Sequence, residues 1–339
     1  MNQILLPNLY SFGKKVANKF GKIMQTVIIL LFLSFLSIGQ SSEIPALPEK
    51  DLEIDWSSKK PYSNPPGINS FCQKMDKKFL EYGWGASRCD FFKWNHIRNS
   101  VKGDPLIWTT FGDENKNHAT TLVLCGVHGD EITPNKFCFD IIFHLQRYSE
   151  LYKNQFIIVA PFVSPDSFFS TKQTRTNAHG VDVNRNFPTK DWDQDALKLW
   201  KNKYGGDLRR FPGKKALSEP EVIFQVNLIK RYRPDKILSV HAPLTLIDFD
   251  GPIGEKGESN NLLLQMSKSA NGYAVRDYPF FPGSLGNWAG NELGIPTFTL
   301  ELPSSDNRRN EEYWKLFRNA IHTAFFKDLR AGKVDISKK

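Results

Sequence analysis

No Cys-x-x-Cys pair occurs anywhere in the chain, whose 339 residues hold only four cysteines, Cys72, Cys89, Cys125 and Cys138. A thiolate zinc site and a redox dithiol therefore lack their characteristic spacing. Repeats at a fixed period and long low-complexity tracts are absent too, which argues against a solenoid or a disordered scaffold. The basic residues do not gather into a stripe, so the formal charge of +9 is no nucleic-acid footprint. The apolar run at 26–39 falls short of what about 30 Å of hydrocarbon requires.

What that run does have is a basic approach. Lys14, Lys15, Lys19 and Lys22 precede it, and Ser37 and Gly39 give it a small-residue exit. This is the layout of a secretory signal over residues 1–39, with export to a periplasm or the medium and no stable membrane insertion after cleavage. An uncleaved anchor, or a start at Met24, stays open. Without the four lysines the charge falls from +9 to +5, a balance that suits an anionic polymer such as cell wall but discriminates little. In an oxidising compartment Cys72 and Cys89 would close a loop worth about 3 kcal/mol. Cys125, in an apolar strand-like run, and Cys138, in a helix-like one, read as buried free thiols.

Residues 41–67 are rich in Pro, Ser and charge and read as a linker or surface arm; 40–96 is expected as an N-terminal extension, 97–330 as the catalytic domain and 331–339 as a tail. Residues 68–95 have helical character, with Phe71, Met75 and Phe79 four apart. The runs at 121–127 and 156–163 are short, apolar and branched, as buried strands are. Between them Thr133-Pro134 predicts a hydroxyl-capped helix start, followed by Phe137, Ile141, Leu145 and Tyr148 on one face. Further helices are expected over 219–232, 287–293 and around Trp314–Phe325, with strands at 236–241 and 297–301. Alternating strands and helices predict an α/β sheet covered on both faces.

Polar residues stand out against this pattern. His128 and Glu131, in Gly126-Val-His-Gly-Asp-Glu131, fall just past a strand end, where open α/β sheets place their ligand crevices. Alone the pair could be a solvated turn. His241 ends the apolar strand at 236–241 and would otherwise be a hydrogen-bonded structural histidine, but it supplies a third ligand. Two His and a Glu with an open position make a catalytic zinc set, one ion per chain. Asn184-Arg185 offers an amide and a planar fork for a carboxylate, a structural salt bridge being the alternative, and Arg175 lies ten residues earlier. Glu301 sits inside an apolar strand, where a carboxylate is costly unless paired, metal-adjacent or protonated; it suits a general base.

The order His-x-x-Glu, Val-Asp-x-Asn-Arg-Asn, strand-end His and strand Glu resembles the carboxypeptidase A-like zinc metallopeptidases. So does the spacing of Tyr278, Gly283-Ser284, Trp288 and Glu301. The segments DPLIW (104–108), RTNAHGVDVNRNFPTKDW (175–192), SEPE (218–221), SVHAPLTLID (239–248) and PGSLGNW (282–288) are similar to a bacterial branch acting on cell-wall peptides. The resemblance spans roughly 97–328. It implies a mixed, mostly parallel sheet and zinc on His128, Glu131 and His241. It also implies Glu301 as base, Arg175 at the oxyanion, and Asn184, Arg185 and Tyr278 on a terminal carboxylate. Asp182 would accept the ring N–H of His128. Leu285 falls where relatives selective for Lys or Arg carry an acid, which argues against that preference. Asp248 and Asp250 could meet an amino group of the substrate, but solvated loop acids are favoured. The implied reaction is hydrolysis of the γ-D-glutamyl–diaminopimelate bond in peptidoglycan stem peptides or muropeptides. The alternatives are a general exported carboxypeptidase and a non-catalytic wall-binding protein.

Overall fold

The structure, a computed structural model, describes residues 44–48, 51–114, 118–254 and 257–330. The expected signal at 1–39 and tail at 331–339 lie outside the described residues. Among the described residues no helix is long and apolar enough to cross a membrane.

The centre is an eight-stranded sheet. Its strands are β1 (Asn95–Asn99), β2 (Pro105–Gly112), β3 (Ala119–Cys125), β4 (Gln155–Ala160), β5 (Lys236–His241), β6 (Leu246–Phe249), β7 (Val275–Arg276) and β8 (Thr297–Glu301). They lie in the order β1-β2-β4-β3-β5-β8-β6-β7. The central four, β4-β3-β5-β8, are parallel. β1, β2 and β6 pair antiparallel at the flanks, and β7 runs parallel to β6. This is the mixed, mostly parallel sheet that was expected.

Side chains alternate between two cores with period two. Val123, Cys125, Ile157, Val159, Leu238 and Val240 enter one core, while Leu122, Leu124, Ile158 and Ile237 enter the other. The main helices are α1 (Pro66–Glu81), α2 (Thr133–Arg147), α3 (Pro220–Tyr232), α4 (Glu258–Ser269) and α5 (Asn310–Phe326). Helices α1, α2, α4 and α5 bury their apolar stripes in the first core. Helix α3 covers the opposite face, together with Val183, Phe187, Leu285 and Trp288.

Several expectations are sharpened or corrected. Helix α1 stops at Glu81, and Gly83 and Gly85 follow with positive φ, so the helical character does not continue to 95. Ile68, Phe71, Met75, Phe79, Phe92 and Trp94, from the segment expected as an arm, lie in the same core as the sheet. Thr133 does not cap its helix: its hydroxyl donates to the Ser304 carbonyl instead, at 2.7 Å. Cys72 and Cys89 are joined as expected, but Cys125 and Cys138 are also a disulfide, not free thiols. The tip of β3 faces the second turn of α2 with a Cα–Cα distance of 6.3 Å, inside the range a disulfide spans.

Candidate active site

Three neighbouring parallel strands, β3, β5 and β8, end at one edge, and each delivers a polar group there. Past β3 the chain turns at Gly126, whose φ is +63°, a conformation that costs glycine little. Gly129 is needed for a different reason: a Cβ there would lie 2.4 Å from the Ser167 carbonyl carbon. The turn places His128 Nδ1 2.8 Å from Glu131 Oε1. At the tip of β5, His241 Nδ1 lies 2.9 Å from Glu131 Oε2. Register pairs His241 with Glu301 on β8.

The far ring nitrogens are tied down. His128 Nε2 meets Asp182 Oδ1 at 3.1 Å, and His241 Nε2 meets Ser239 Oγ at 2.9 Å. Burial opposes ionisation of Asp182, but Arg175 and His128 outweigh it and hold the carboxyl well below its ordinary range. Asp182 is thus an ionised acceptor that holds the proton on Nε2, so a metal bound on the other side of the ring would meet the Nδ1 lone pair. Glu131 behaves alike: burial raises it, and His128 and His241 bring it below the ordinary value. His128, Glu131 and His241 offer ligand atoms that all lie within 4.8 Å of one another. Two imidazole nitrogens and an ionised carboxylate, all buried, are a donor set that fits zinc.

Around these donors lies a cavity of about 530 Å³. Every residue given a metal, catalytic or substrate role from the sequence lines it except Asp182, which sits fully buried behind His128. Glu301 is 8% exposed, and its Oε2 accepts the Leu244 N–H at 3.3 Å. Burial pushes its carboxyl up; nearby His241 counteracts this only in part. Arg175 donates Nε to Asp182 at 2.9 Å and Nη1 to Glu131 at 3.2 Å, which fixes the guanidinium beside the metal donors.

Arg185 is different. Among the described residues it has no carboxylate partner; Nη1 donates to the Asn184 carbonyl and Nε is buried without a partner. Its guanidinium lies 4.4 Å from the centre of the Phe281 ring, and burial lowers its pKa. The side-chain oxygen of Asn184 accepts the Leu285 N–H at 2.8 Å, leaving its NH₂ as a donor. A guanidinium with donors to spare beside an amide donor on a cavity wall has the geometry that could receive a carboxylate. Tyr278 is 38% exposed at the same cavity, and its backbone N–H donates to Asp248 Oδ1 at 3.0 Å.

Asp248 and Asp250 overturn the expectation of solvated loop acids. Both line the cavity. Asp248 is 4% exposed, and Asp250 accepts the Thr299 hydroxyl. Burial, then its neighbour Asp250, pushes Asp248 up to about 8. Their spacing of two, on and just past β6, puts both on one face, and that was readable in the sequence. So was Ser239, two residues before His241. Arg209, Asp130 and Phe281 carried no comparable signal.

Comparison with known proteins agrees with this geometry. The profile of the zinc carboxypeptidase family matches residues 85–252. Murein peptide amidase A of Escherichia coli is 31% identical over 231 residues, 67% of this chain and 88% of that protein. The Vibrio campbellii protein of the same name is 31% identical over 207 residues, 60% and 77% of the two chains. Bovine thrombin-activatable fibrinolysis inhibitor, solved in complex with tick carboxypeptidase inhibitor, shares the fold with a TM-score of 0.56. It is 19% identical and covers 77% of this chain and 96% of that one. With its His-Glu-His donor set, buried strand glutamate and unpaired arginine in one cavity, the chain is a metallopeptidase-type enzyme belonging to the zinc carboxypeptidase family.

Proposed function

We propose that this enzyme hydrolyses the amide bond between the side-chain carboxyl of D-glutamate and diaminopimelate in peptidoglycan stem peptides or muropeptides. The observation that carries the reading is the Asp248–Asp250 pair, the first buried and the second half-buried, in the same cavity as Arg185. Diaminopimelate as a leaving residue brings a carboxylate for Arg185 and Asn184 and, farther along, an ammonium that an acidic pair receives. The amidase names of the relatives support the same substrate class.

His128, Glu131 and His241 would hold zinc, which supplies Lewis acidity and a water made nucleophilic near neutral pH. Glu301, raised by burial, takes the proton from the attacking water and delivers it to the departing amine. Arg175 stabilises negative charge developing on the scissile carbonyl oxygen. Asp182 keeps His128 in the tautomer that presents Nδ1. Asn184 and Arg185 grip the terminal carboxylate, Tyr278 covers it, and Leu285 gives the leaving residue an apolar wall. All four cysteines lie in disulfides, which supports a site of action outside the reducing cytoplasm, in a periplasm or the medium.

A second reading has its own observation: an acidic pair also receives the ammonium of a C-terminal lysine on an ordinary peptide. Turnover of L-Ala-γ-D-Glu-diaminopimelate, compared with α-linked peptides ending in Lys, separates the two. The proposal expects chelator-sensitive release of diaminopimelate, with Glu301→Gln reducing it by about 10²–10⁴-fold. Preference for the α-linked lysine peptides would replace it with a basic-residue carboxypeptidase.

A further inference from the structure

The leaving residue occupies Asn184, Arg185, Tyr278 and the acidic pair, yet the cavity has charged groups left over. Asp130 stands between the two donors of the metal turn, and its Oδ2 accepts from Arg209 Nη1 at 2.6 Å. Both residues line the cavity. Asp130 Oδ1 is buried with no hydrogen-bond partner, and a half-turn of the carboxylate exchanges the two oxygens.

The pair is fixed to the metal centre from both sides. The N–H groups of Gly129 and Asp130 donate to the Thr174 carbonyl at 3.0 and 3.2 Å, next to Arg175. Arg209 belongs to the short turn Leu208–Arg210, capped by Asp207, and the Phe211 carbonyl after it accepts the Asp182 N–H at 2.8 Å. The Arg209 side chain is 59% exposed, so exchanging part of its bond to Asp130 for another carboxylate costs little.

We propose that the Asp130–Arg209 pair reads the residue on the acyl side of the scissile bond. Arg209 takes a free carboxylate, and Asp130 takes an amide N–H carried by the same carbon. The assignment rests on the proposed function, because a residue joined through its side-chain carboxyl has that pair of groups and an α-linked residue does not. In a γ-linked glutamyl residue the carbon bearing both groups lies about 4 Å from the scissile carbonyl carbon. Asp130 adjoins Glu131 in the chain and lines the same cavity as the metal donors. The pair thus selects acidic isopeptides, and the selection is independent of the leaving residue.

The test compares kcat/KM for L-Ala-γ-D-Glu-diaminopimelate with that for the same tripeptide amidated at the glutamyl α-carboxyl. The wild-type chain is expected to favour the free carboxylate by about tenfold or more, what one charge-assisted hydrogen bond supplies. Arg209→Ala, with zinc content and thermal unfolding checked, is expected to bring the two substrates within about a factor of two by losing rate on the free acid. Equal wild-type rates on both tripeptides, or an undiminished preference in a folded Arg209→Ala, overturn the proposal and leave the γ-glutamyl reading intact. Cleavage of neither tripeptide, with α-linked peptides turned over, overturns both.

Discussion

The least expected residue in the site is Asp248. Burial and Asp250 push its carboxyl up to about 8 from an ordinary value of 3.8. The folded chain therefore holds a proton there across a window in which the unfolded chain has released it. Stability should fall as pH rises from about 4 to about 8 and level off above, since the unfolded state binds fewer protons throughout that window. Asp248→Asn removes the titrating group, so its melting temperature should decline less than the wild type's between about pH 5 and 8. Parallel slopes for the two proteins would show that the pair is ionised in the folded state. A substrate ammonium favours the charged form, so uptake of diaminopimelate should release a proton. His241 and Glu301 were legible in the sequence because a polar residue at the tip of an apolar strand needs a partner. The burial of Asp248 was not, because it comes from residues thirty and more positions away, around Tyr278 and Thr299.

At the scale of elements, the Cys125–Cys138 bridge joins the tip of β3 to the second turn of α2. The chain it closes contains His128 and Glu131, so the disulfide staples the metal turn at both ends. A loop of this size contributes about 3 kcal/mol by restricting the unfolded chain. Replacing both cysteines by alanine should cost about 2–4 kcal/mol in denaturant unfolding. It should also speed loss of zinc to a chelator beyond what a Cys72/Cys89 double variant shows. Equal zinc loss from the two variants would make the bridge a general staple without a role at the metal turn. The four central strands were readable to within a few residues from short branched runs, those at 236–241 and 297–301 without error, while the flanking β1, β2, β6 and β7 were not read. The pairing of Cys125 was not readable, because the approach of β3 to α2 is a tertiary fact. Helix α1 and the segment around Phe92 and Trp94 joined the core for a similar reason: Pro- and charge-rich flanks say nothing about where Phe71 or Trp94 finds neighbours.

For the whole molecule, sheet order carries the function. Because β3, β5 and β8 are parallel neighbours, their C-terminal ends meet and bring together residues 128, 131, 241 and 301. This is the edge at which open α/β sheets build their sites. The strap from Arg175 to Phe187 crosses that edge. It supplies the partner of His128, the arginine beside Glu131, and Asn184 and Arg185 from one stretch of chain. The cavity is consequently two-signed: Arg175, Arg185, Arg209 and Arg210 line it together with Asp248, Asp250 and Glu301. A dipolar substrate fits such a cavity better than an apolar peptide end does. All of this depends on a metal at the three donors, and metal analysis of the purified chain beside His241→Ala tests it most directly. About one zinc per wild-type chain is predicted, falling to about a tenth or less in the variant with turnover lost in parallel. Full turnover by a metal-free wild-type chain, or stoichiometric zinc retained in His241→Ala, would contradict the account.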